Sequence, residues 1–245
     1  AFQDAMPVAM STAGLVALGV GVGRRMGAPL GRLAIISAVT IGLGGAAKVS
    51  WKLLAAGAEV DVAWLDDLLF PLLAVGFVGM ARLVILTRRG EQVSRGTSVR
   101  TGILVAVTAG LIAAAVLVDG AAGLRLARTI AIVASLTMSW QLLAVGTGVG
   151  DRLSVAFIVG NVIATLSLAG LARVEVQTLG LQWIEQSVNT ASQFVFLLAA
   201  LRLASPGTAW KARNAGGELA TAIVFKERRS AWRNVRGDVT TGEQP

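Results

Sequence analysis

The sequence predicts an all-α polytopic membrane protein with seven transmembrane helices, its N-terminus outside and its C-terminus in the cytoplasm. Two observations predict this fold class. Hydrophobic residues make up 55% of the 245 residues and come in long blocks, with a mean hydropathy of +0.71, far more apolar than a soluble domain. Lysine and arginine collect in alternate connections between the blocks, a charge pattern that indicates how each helix is oriented in a bilayer.

Seven stretches are long enough to cross the bilayer core, which takes roughly 20 apolar residues. They are approximately residues 6–23, 33–54, 63–86, 101–118, 127–147, 153–172 and 179–203. The first is the shortest, and a cleaved signal peptide is an alternative interpretation of it. Because the residues before it include Asp4 and no lysine or arginine, whereas a signal peptide begins with basic residues, we expect a true span.

The distribution of basic residues predicts the direction of each span. One side of the membrane holds most of the 22 lysines and arginines, namely Arg24, Arg25, Arg32, Arg82, Arg88, Arg89, Arg95, Arg100, Arg152, Arg202, Lys211, Arg213, Lys226, Arg228, Arg229, Arg233 and Arg236. The other side holds Lys48, Lys52, Arg125, Arg128 and Arg173. The more basic side should be cytoplasmic, and we expect the chain in the cytoplasmic (inner) membrane of a prokaryote. Topology accounts for the net charge of +8, so no nucleic-acid partner is predicted.

The chain contains no cysteine and no histidine. This composition excludes ordinary zinc sites, histidine-bound haem and a Ser-His-Asp triad, and no cofactor is predicted. Microbial rhodopsins also have seven spans with the N-terminus outside, but they hold retinal on a lysine of the last helix. The last predicted span contains no lysine, so a retinal photoreceptor is excluded as well.

Small residues at four-residue steps predict close helix packing. The first span has Gly19 and Gly23, and the fourth carries a ridge of Gly102, Ala106, Gly110 and Ala114. Such ridges usually pack neighbours within one bundle. An alternative role for the ridge of the fourth span is an interface with a partner membrane protein.

The seventh predicted span carries polar residues that hydrocarbon should exclude. Its outer half contains Gln182, Glu185, Gln186, Asn189 and Gln193, and the four amides share one stripe of the helix. A row of amides facing lipid would be costly. The stripe should therefore face the interior of the bundle or a water-filled cavity.

Other spans bring polar groups to a similar depth. The second ends in Lys48, the third begins with Asp66 and Asp67, and the sixth contributes Asn161. Because a lone buried charge is costly, we expect Lys48 to pair with one of the aspartates, with Glu185 as a further member of the cluster. Together with the amides of the seventh span, these residues predict an outward-facing, ligand-binding polar pocket between predicted helices 2, 3 and 7. Pro71 predicts a kink beside it.

The polar cluster has two interpretations. In one, the groups only tie helices together at the level of the lipid headgroups, where water makes charge tolerable. In the other, they bind a polar ligand or the headgroup of a lipid. The number of amides favours the second, because a salt bridge alone would not require them.

After Pro206 and Gly207 the apolar sequence ends. We therefore predict a transmembrane bundle over residues 1–205 and a basic cytoplasmic tail over residues 206–245. Residues 217–236 can form an amphipathic helix, whose basic and aromatic side chains suit docking on anionic lipid or on a partner protein.

These features lead to three functional hypotheses. The first is an integral membrane binding or sensory module that takes its ligand through the outward-facing pocket. The second is a non-catalytic accessory subunit of a larger membrane complex, which contacts membrane-protein partners through the fourth span and the tail. The third is a lipid-acting enzyme with Asp66 or Asp67 and Glu185 as general acid and base. Without a metal site or nucleophile motif we favour a protein that is not an enzyme. A transporter is a further alternative, although no inverted repeat is evident.

Overall fold

The structure is a computed structural model that describes residues 2–58, 60–91, 94–171, 178–206, 208 and 210. All regular structure in these residues is α-helical, which confirms the all-α part of the prediction. The helices are α1 (Phe2–Met26), α2 (Ala28–Gly57), α3 (Ala63–Asp67), α4 (Leu69–Arg89), α5 (Arg95–Val118), α6 (Gly120–Gly148), α7 (Arg152–Leu171) and α8 (Leu179–Ala204). Six stretches, formed by α1, α2, α3 with α4, α5, α6 and α8, are long and apolar enough to cross a membrane. The apolar part of α7, Arg152–Leu168, is shorter.

Helix starts were the least accurate part of the prediction. The fifth predicted span begins at residue 127, but α6 begins at Gly120. The reason is a helix cap: Oδ1 of Asp119 accepts a hydrogen bond from the backbone N–H of Ala122 at 3.0 Å, which satisfies a donor that the first turn leaves without a partner. Arg125, which precedes the predicted span, thus lies inside the helix. Arg128 of the same helix has its guanidinium 4.4 Å from the ring centroid of Phe70.

The third predicted span is made of two helices that meet at Leu68. α3 ends at Asp67 and α4 begins at Leu69. Pro71 has no N–H to donate to the carbonyl group of Asp67, so the helical hydrogen-bond series lacks one bond at this point. The interruption lies where Pro71 predicts it.

Six helices form a closed ring in the order α1, α2, α4, α6, α7 and α8, with α8 packed against α1. α5 lies outside the ring, against α4 and α6. α8 and α1 run in the same direction, because Gly14 near the middle of α1 lies against Phe196, and Gly21 near its end lies against Ala204 at the end of α8. α7 runs antiparallel to α8, with Asp151 beside Arg202 and Asn161 beside Ser192.

Glycines let α2 approach both of its neighbours closely. A Cβ atom at Gly31 would lie 2.5 Å from Cα of Gly23 in α1. On another face of α2, a Cβ atom at Gly76 of α4 would lie 2.7 Å from the carbonyl oxygen of Ser37. The glycines of the first span thus pack within the bundle.

The small-residue ridge of α5 has no such neighbour within the described chain. A Cβ atom at Gly102 or Gly110 would meet nothing within 4 Å, and Ala106 and Ala114 are exposed. The ridge is therefore available on the outside of the bundle.

The bundle is densely packed at one end and open at the other. The main hydrophobic core, which includes Leu18, Leu83, Leu142 and Leu203, lies toward the end where α1 and α8 finish. We call it the basic end, because it holds Arg24, Arg25, Arg88, Arg89 and Arg202. The opposite end, with Asp4, Lys52 and Glu185, is the open end, where two cavities separate the helices.

The chain turns back onto the basic end after α8. Trp210 is buried in the main core, and its Nε1 donates to the carbonyl oxygen of Leu203 at 2.7 Å. The guanidinium of Arg25 lies 4.7 Å from the centroid of the Trp210 ring and donates to the carbonyl oxygens of Leu203, Ser205 and Thr208. The packed region thus extends past the predicted boundary at residue 205. The predicted helix at 217–236 lies outside the described residues.

Candidate functional site

The outer cavity, which we call the vestibule, lies at the open end and has a volume of about 700 Å³. The first turn of α1, the last turns of α2 and the first turns of α8 meet there. Its lining residues are Gln3, Asp4, Trp51, Lys52, Ala55, Ala56, Gln182, Trp183, Glu185 and Gln186. Amides, charges and indole rings therefore surround one opening.

One pair of charges in the vestibule is neutralised within the protein. Nζ of Lys52 lies 3.1 Å from Oδ2 of Asp4 and joins the end of α2 to the start of α1. Glu185 has neither an ion pair nor a hydrogen bond to another described side chain, and its Oε1 is buried. Oε1 of the adjacent Gln186 is also buried without a partner. Buried acceptors without donors are costly, and they are unusual in folded proteins.

A second cavity of about 310 Å³ lies inside the ring, and all six ring helices contribute to it. Apolar side chains such as Leu15, Ile41, Phe77 and Phe196 form most of its wall. Its polar lining residues are Ser11, Ser135, Ser139, Asn161, Thr165, Asn189 and Gln193. None of the residues that line this central cavity is charged.

The amides of the central cavity differ in how they are bonded. Nδ2 of Asn161 donates to the carbonyl oxygen of Ser192 at 3.0 Å and to its Oγ at 2.8 Å, which ties α7 to α8. The side chains of Asn189 and Gln193 make no hydrogen bond within the described part of the chain. Each offers two donors and a carbonyl acceptor to the cavity. By contrast, the hydroxyls of Ser11, Ser139 and Thr165 donate to carbonyl oxygens of their own helices.

The two cavities follow each other along the same helices. On α8 the lining passes from Gln186 in the vestibule to Asn189 in the central cavity, less than one turn deeper. On α1 it passes from Asp4 to Pro7. Charged and aromatic groups thus line the vestibule, and neutral amides and apolar surface line the cavity that follows it along these helices.

The structure brings six of the predicted site residues to the two cavities. Gln182, Glu185 and Gln186 line the vestibule, and Asn161, Asn189 and Gln193 line the central cavity. Of the predicted amide stripe, Asn189 and Gln193 thus lie at the central cavity. That these residues bind a ligand stays a prediction.

The structure does not bring the acids of the third span to either of these two cavities. Nζ of Lys48 does lie 3.0 Å from Oδ1 of Asp66, as expected, but neither residue lines either cavity, and Asp67 is exposed. The reason is the order of helices in the ring: α8 packs between α7 and α1, whereas α3 packs on α2 and α4. The pocket at the open end therefore lies between predicted helices 1, 2 and 7.

Sequence reasoning missed the contribution of α1. Asp4 enters the vestibule and pairs with Lys52, and Pro7 and Ser11 line the central cavity. The available signal was Asp4 itself, a carboxylate at the outer edge of an otherwise apolar segment. Only the packing of α1 against α2 and α8 shows where it points.

A further ion pair lies at the basic end. Nε and Nη2 of Arg202 donate to the two carboxylate oxygens of Asp151 at 3.1 and 2.9 Å. The hydroxyl of Ser154 donates to the same carboxylate at 2.7 Å. The hydrogen bond from Arg202 is the main cause that lowers the pKa of Asp151 to about 2. This pair joins α7 to α8 far from both cavities.

No family model, no curated protein and no solved structure matches the chain.

Proposed function

We propose that the chain is an integral membrane binding module, which admits a small molecule at the open end and holds it in the central cavity. The main support is the state of Asn189 and Gln193, whose side-chain amides face the central cavity and make no hydrogen bond within the described part of the chain. If the polar groups served only to tie helices together, they would bond across the helix interface, as Asn161 does with Ser192. Amides left without partners inside a bundle are better explained by a ligand or water that bonds to them.

The composition of the central cavity supports a small, largely apolar ligand. Binding sites for small molecules are mostly apolar, with a few polar groups that fix orientation, and have volumes of about 300–1,000 Å³. The central cavity fits this description at the lower limit of size, at about 310 Å³. The absence of charge among its lining residues disfavours an ionic group at this depth.

In this proposal seven apolar stretches cross the inner membrane of a prokaryote, with α3 and α4 forming one of them. The open end lies outside and the basic end lies in the cytoplasm. The concentration of arginine at the basic end supports this orientation. Support for α7 as a span comes from its position along α8, since Asp151 pairs with Arg202 at the basic end and Asn161 bonds to Ser192 further along both helices.

A sensory role would use α8 as the moving element. α8 carries Asn189 and Gln193 at the cavity and ends beneath Trp210 and Arg25 at the basic end. A ligand that bonds to the two amides would bias the position of α8 only if α8 has two positions of similar energy.

The accessory-subunit hypothesis is the second candidate, and the exposed ridge of α5 favours it. Gly102 and Gly110 offer the close backbone approach that pairs membrane helices. The enzymatic hypothesis has less support, because Asp66 is paired with Lys48 and does not reach Glu185 in the vestibule.

Native mass spectrometry of the purified protein tests the binding function. We expect wild type to retain a small molecule, and the double variant Asn189→Leu with Gln193→Leu to lose it. The matched control is Gln141→Leu, which removes an amide that does not line either cavity. Thermal unfolding and size-exclusion chromatography check that each variant is folded.

Two results would count against the binding function. In the first, the double variant folds and retains the same molecule as wild type. In the second, the double variant fails to accumulate and wild type carries no molecule, which would assign a structural role to the amides. Co-purified protein subunits that depend on α5 would instead favour the accessory role.

A further inference from the structure

We infer that the vestibule selects a protonated primary amine, with the ammonium group beside Glu185 and an uncharged, largely apolar remainder directed toward the central cavity. This names the chemical class of the ligand and rests on the binding function proposed above. The inference follows from the charges, hydrogen-bond acceptors and aromatic rings of the vestibule, and from the neutrality of the cavity behind it.

The charges of the vestibule favour a cation. Its charged lining residues are Asp4, Lys52 and Glu185. Lys52 is paired with Asp4 at 3.1 Å, and no described cation lies within ion-pair distance of Glu185. A carboxylate at the edge of a low-dielectric interior is costly without a counter-charge. A cation in the vestibule would offset that cost, whereas an anion would increase it.

The acceptors of the vestibule favour a cation that carries N–H groups. Glu185 and Gln186 line the vestibule, and each has a buried side-chain oxygen that accepts no hydrogen bond. A rotation of either side chain would turn that oxygen toward a donor in the vestibule. A primary ammonium group has three N–H donors, as in lysine. A quaternary ammonium group has the positive charge but no N–H donor. It could therefore offset the charge of Glu185 but could not donate to the two oxygens.

Two indole rings line the same space. Nε1 of Trp51 donates to Oδ1 of Asp61 at 2.9 Å, which holds that ring at the wall of the vestibule. Trp183 lines the vestibule from α8, one turn from Gln186. The face of an indole attracts ammonium groups placed within about 6 Å of it. The rings therefore add to the preference for a cation.

The central cavity limits the rest of the ligand. Its lining contains no charged residue, so a second ionic group on the ligand would have no counter-charge there. This disfavours amino acids and dicarboxylates and favours an amine with an apolar chain or ring. The same chemistry is available from a free amine and from the headgroup of an ethanolamine lipid.

Three probes that share one hydrocarbon chain separate charge from hydrogen bonding. Hexylamine, protonated at pH 7, has charge and donors; hexyltrimethylammonium has charge alone; 1-hexanol has no charge. We expect calorimetric titration of the full chain in phosphatidylglycerol nanodiscs to rank them in this order. Hexylamine should bind about tenfold more tightly than 1-hexanol, which corresponds to about 1.4 kcal/mol.

The variant Glu185→Gln removes the charge and keeps the shape of the side chain. It should weaken hexylamine binding about tenfold and leave 1-hexanol binding unchanged. The control is Glu91→Gln, which alters a carboxylate that lies 3.7 Å from Arg89, away from the vestibule, and should change neither affinity. If Glu185→Gln does not accumulate, Trp183→Leu is the second variant, with a severalfold loss expected for hexylamine alone.

Changing the lipid of the nanodisc shows whether the amine is a free molecule or a lipid headgroup. If phosphatidylethanolamine competes with hexylamine and phosphatidylcholine does not, the ammonium group comes from a lipid headgroup. If neither competes while hexylamine keeps its advantage over 1-hexanol, a free amine is the ligand. Both results support the inferred chemistry.

Equal affinities for hexylamine and 1-hexanol, or an unchanged hexylamine affinity in folded Glu185→Gln, would overturn the inference. The binding function has a separate readout. A neutral or anionic molecule retained by wild type and lost from the Asn189→Leu, Gln193→Leu variant would preserve that function and reject the amine. A wild type that retains no molecule and binds none of the three probes would reject both.

Discussion

Asn161 shows how one amide can hold two apolar helices together. Its side chain donates to both the carbonyl oxygen and the hydroxyl of Ser192 on α8. We expect Asn161→Leu to lower the free energy of unfolding by about 1 kcal/mol, the usual scale for such bonds between membrane helices. Thermal unfolding in detergent measures this loss as a drop of a few degrees in Tm.

The control for this prediction is Thr165→Val. The Thr165 hydroxyl donates to the carbonyl oxygen of Asn161 within its own helix, so its removal breaks no contact between helices. Equal Tm values for Asn161→Leu and Thr165→Val would show that the bond from α7 to α8 contributes nothing.

Asp151 predicts an acid-sensitive contact at the basic end. Its pKa in the folded protein is lowered to about 2, mainly by the hydrogen bond from Arg202, whereas an unfolded chain has an aspartate pKa of about 3.9. The contact therefore stabilises the fold above pH 4 and is lost as the pH falls from about 4 to about 2. We expect Asp151→Asn to unfold at a lower temperature than wild type at pH 7.

The gap in Tm between Asp151→Asn and wild type should shrink as the pH is lowered through this range in an uncharged detergent. Glu91→Gln is the control, because the Glu91 carboxylate lies 3.7 Å from an exposed Arg89 and such pairs contribute little. A gap that is constant from pH 7 to pH 2 would contradict the assigned role of the carboxylate charge.

At this scale the sequence predicts some partners and misses others. The pairing of Lys48 with an aspartate could be predicted, because both occur at the outer ends of consecutive spans. The pairing of Lys52 with Asp4 could not, because it depends on how α1 and α2 align. That alignment is determined by close contacts such as Gly23 with Gly31, which the charge pattern does not indicate.

Among the elements, α2 depends most on the absence of side chains at particular positions. A Cβ atom at Gly31 would lie 2.5 Å from Cα of Gly23, a contact between backbones that no rotamer change can relieve. We expect Gly31→Ala to lower the free energy of unfolding by about 2 kcal/mol or more through displacement of α1 from α2. Thermal unfolding and the yield of monodisperse protein measure the effect.

Gly110→Ala is the matched control on α5. A Cβ atom there would meet nothing within 4 Å, and alanine is the better helix former, so stability should be unchanged or slightly higher. If the two variants behaved alike, the close approach of α1 to α2 would not be a feature of the folded protein.

The pattern of small residues predicts close packing but not the identity of the neighbour. The ridge of α5 and the glycines of α1 look alike in sequence, yet only those of α1 contact another helix of the described chain. Pro71 predicts the position of the helix interruption more directly. Its missing N–H affects the backbone of its own helix, so the prediction does not depend on which helix packs beside it.

For the molecule as a whole, the proposed orientation can be tested by chemical labelling, since the chain has no native cysteine. Gly57 and Gly120 lie at the open end and Gly148 at the basic end, and a Cβ atom at any of them would meet nothing within 4 Å. In intact cells a membrane-impermeant maleimide should label Gly57→Cys and Gly120→Cys, but not Gly148→Cys until the cells are opened.

The reverse labelling pattern would place the open end in the cytoplasm. Labelling of Gly57→Cys and Gly148→Cys from the same side would show that the number of spans between them is not the predicted one. The first result would place the vestibule on the cytoplasmic side of the membrane. The second would mean that not every helix of the ring crosses the membrane.

The order of helices in the ring could not be predicted from the sequence. Hydrophobicity identifies the spans, and charge predicts their directions, but α5 is as apolar as the helices of the ring. Nothing in its composition indicates that it lies outside, or that α8 sits beside α1. The sequence therefore grouped Asp66 and Asp67 with the amides of the last span, whereas the vestibule is lined by residues of α1, α2 and α8.

The contact between α8 and α1 joins the last of the described helices to the first. During translation α1 is made well before α8. Its surface around Gly14 and Gly21 is therefore uncovered until Phe196 and Ala204 of α8 pack against it. Without α8 the central cavity would be open on one side, and Asn161 would lose its hydrogen bonds to Ser192 and face the lipid acyl chains. In the proposed binding function, a ligand can therefore bind only after α8 has been made and has packed against α1 and α7.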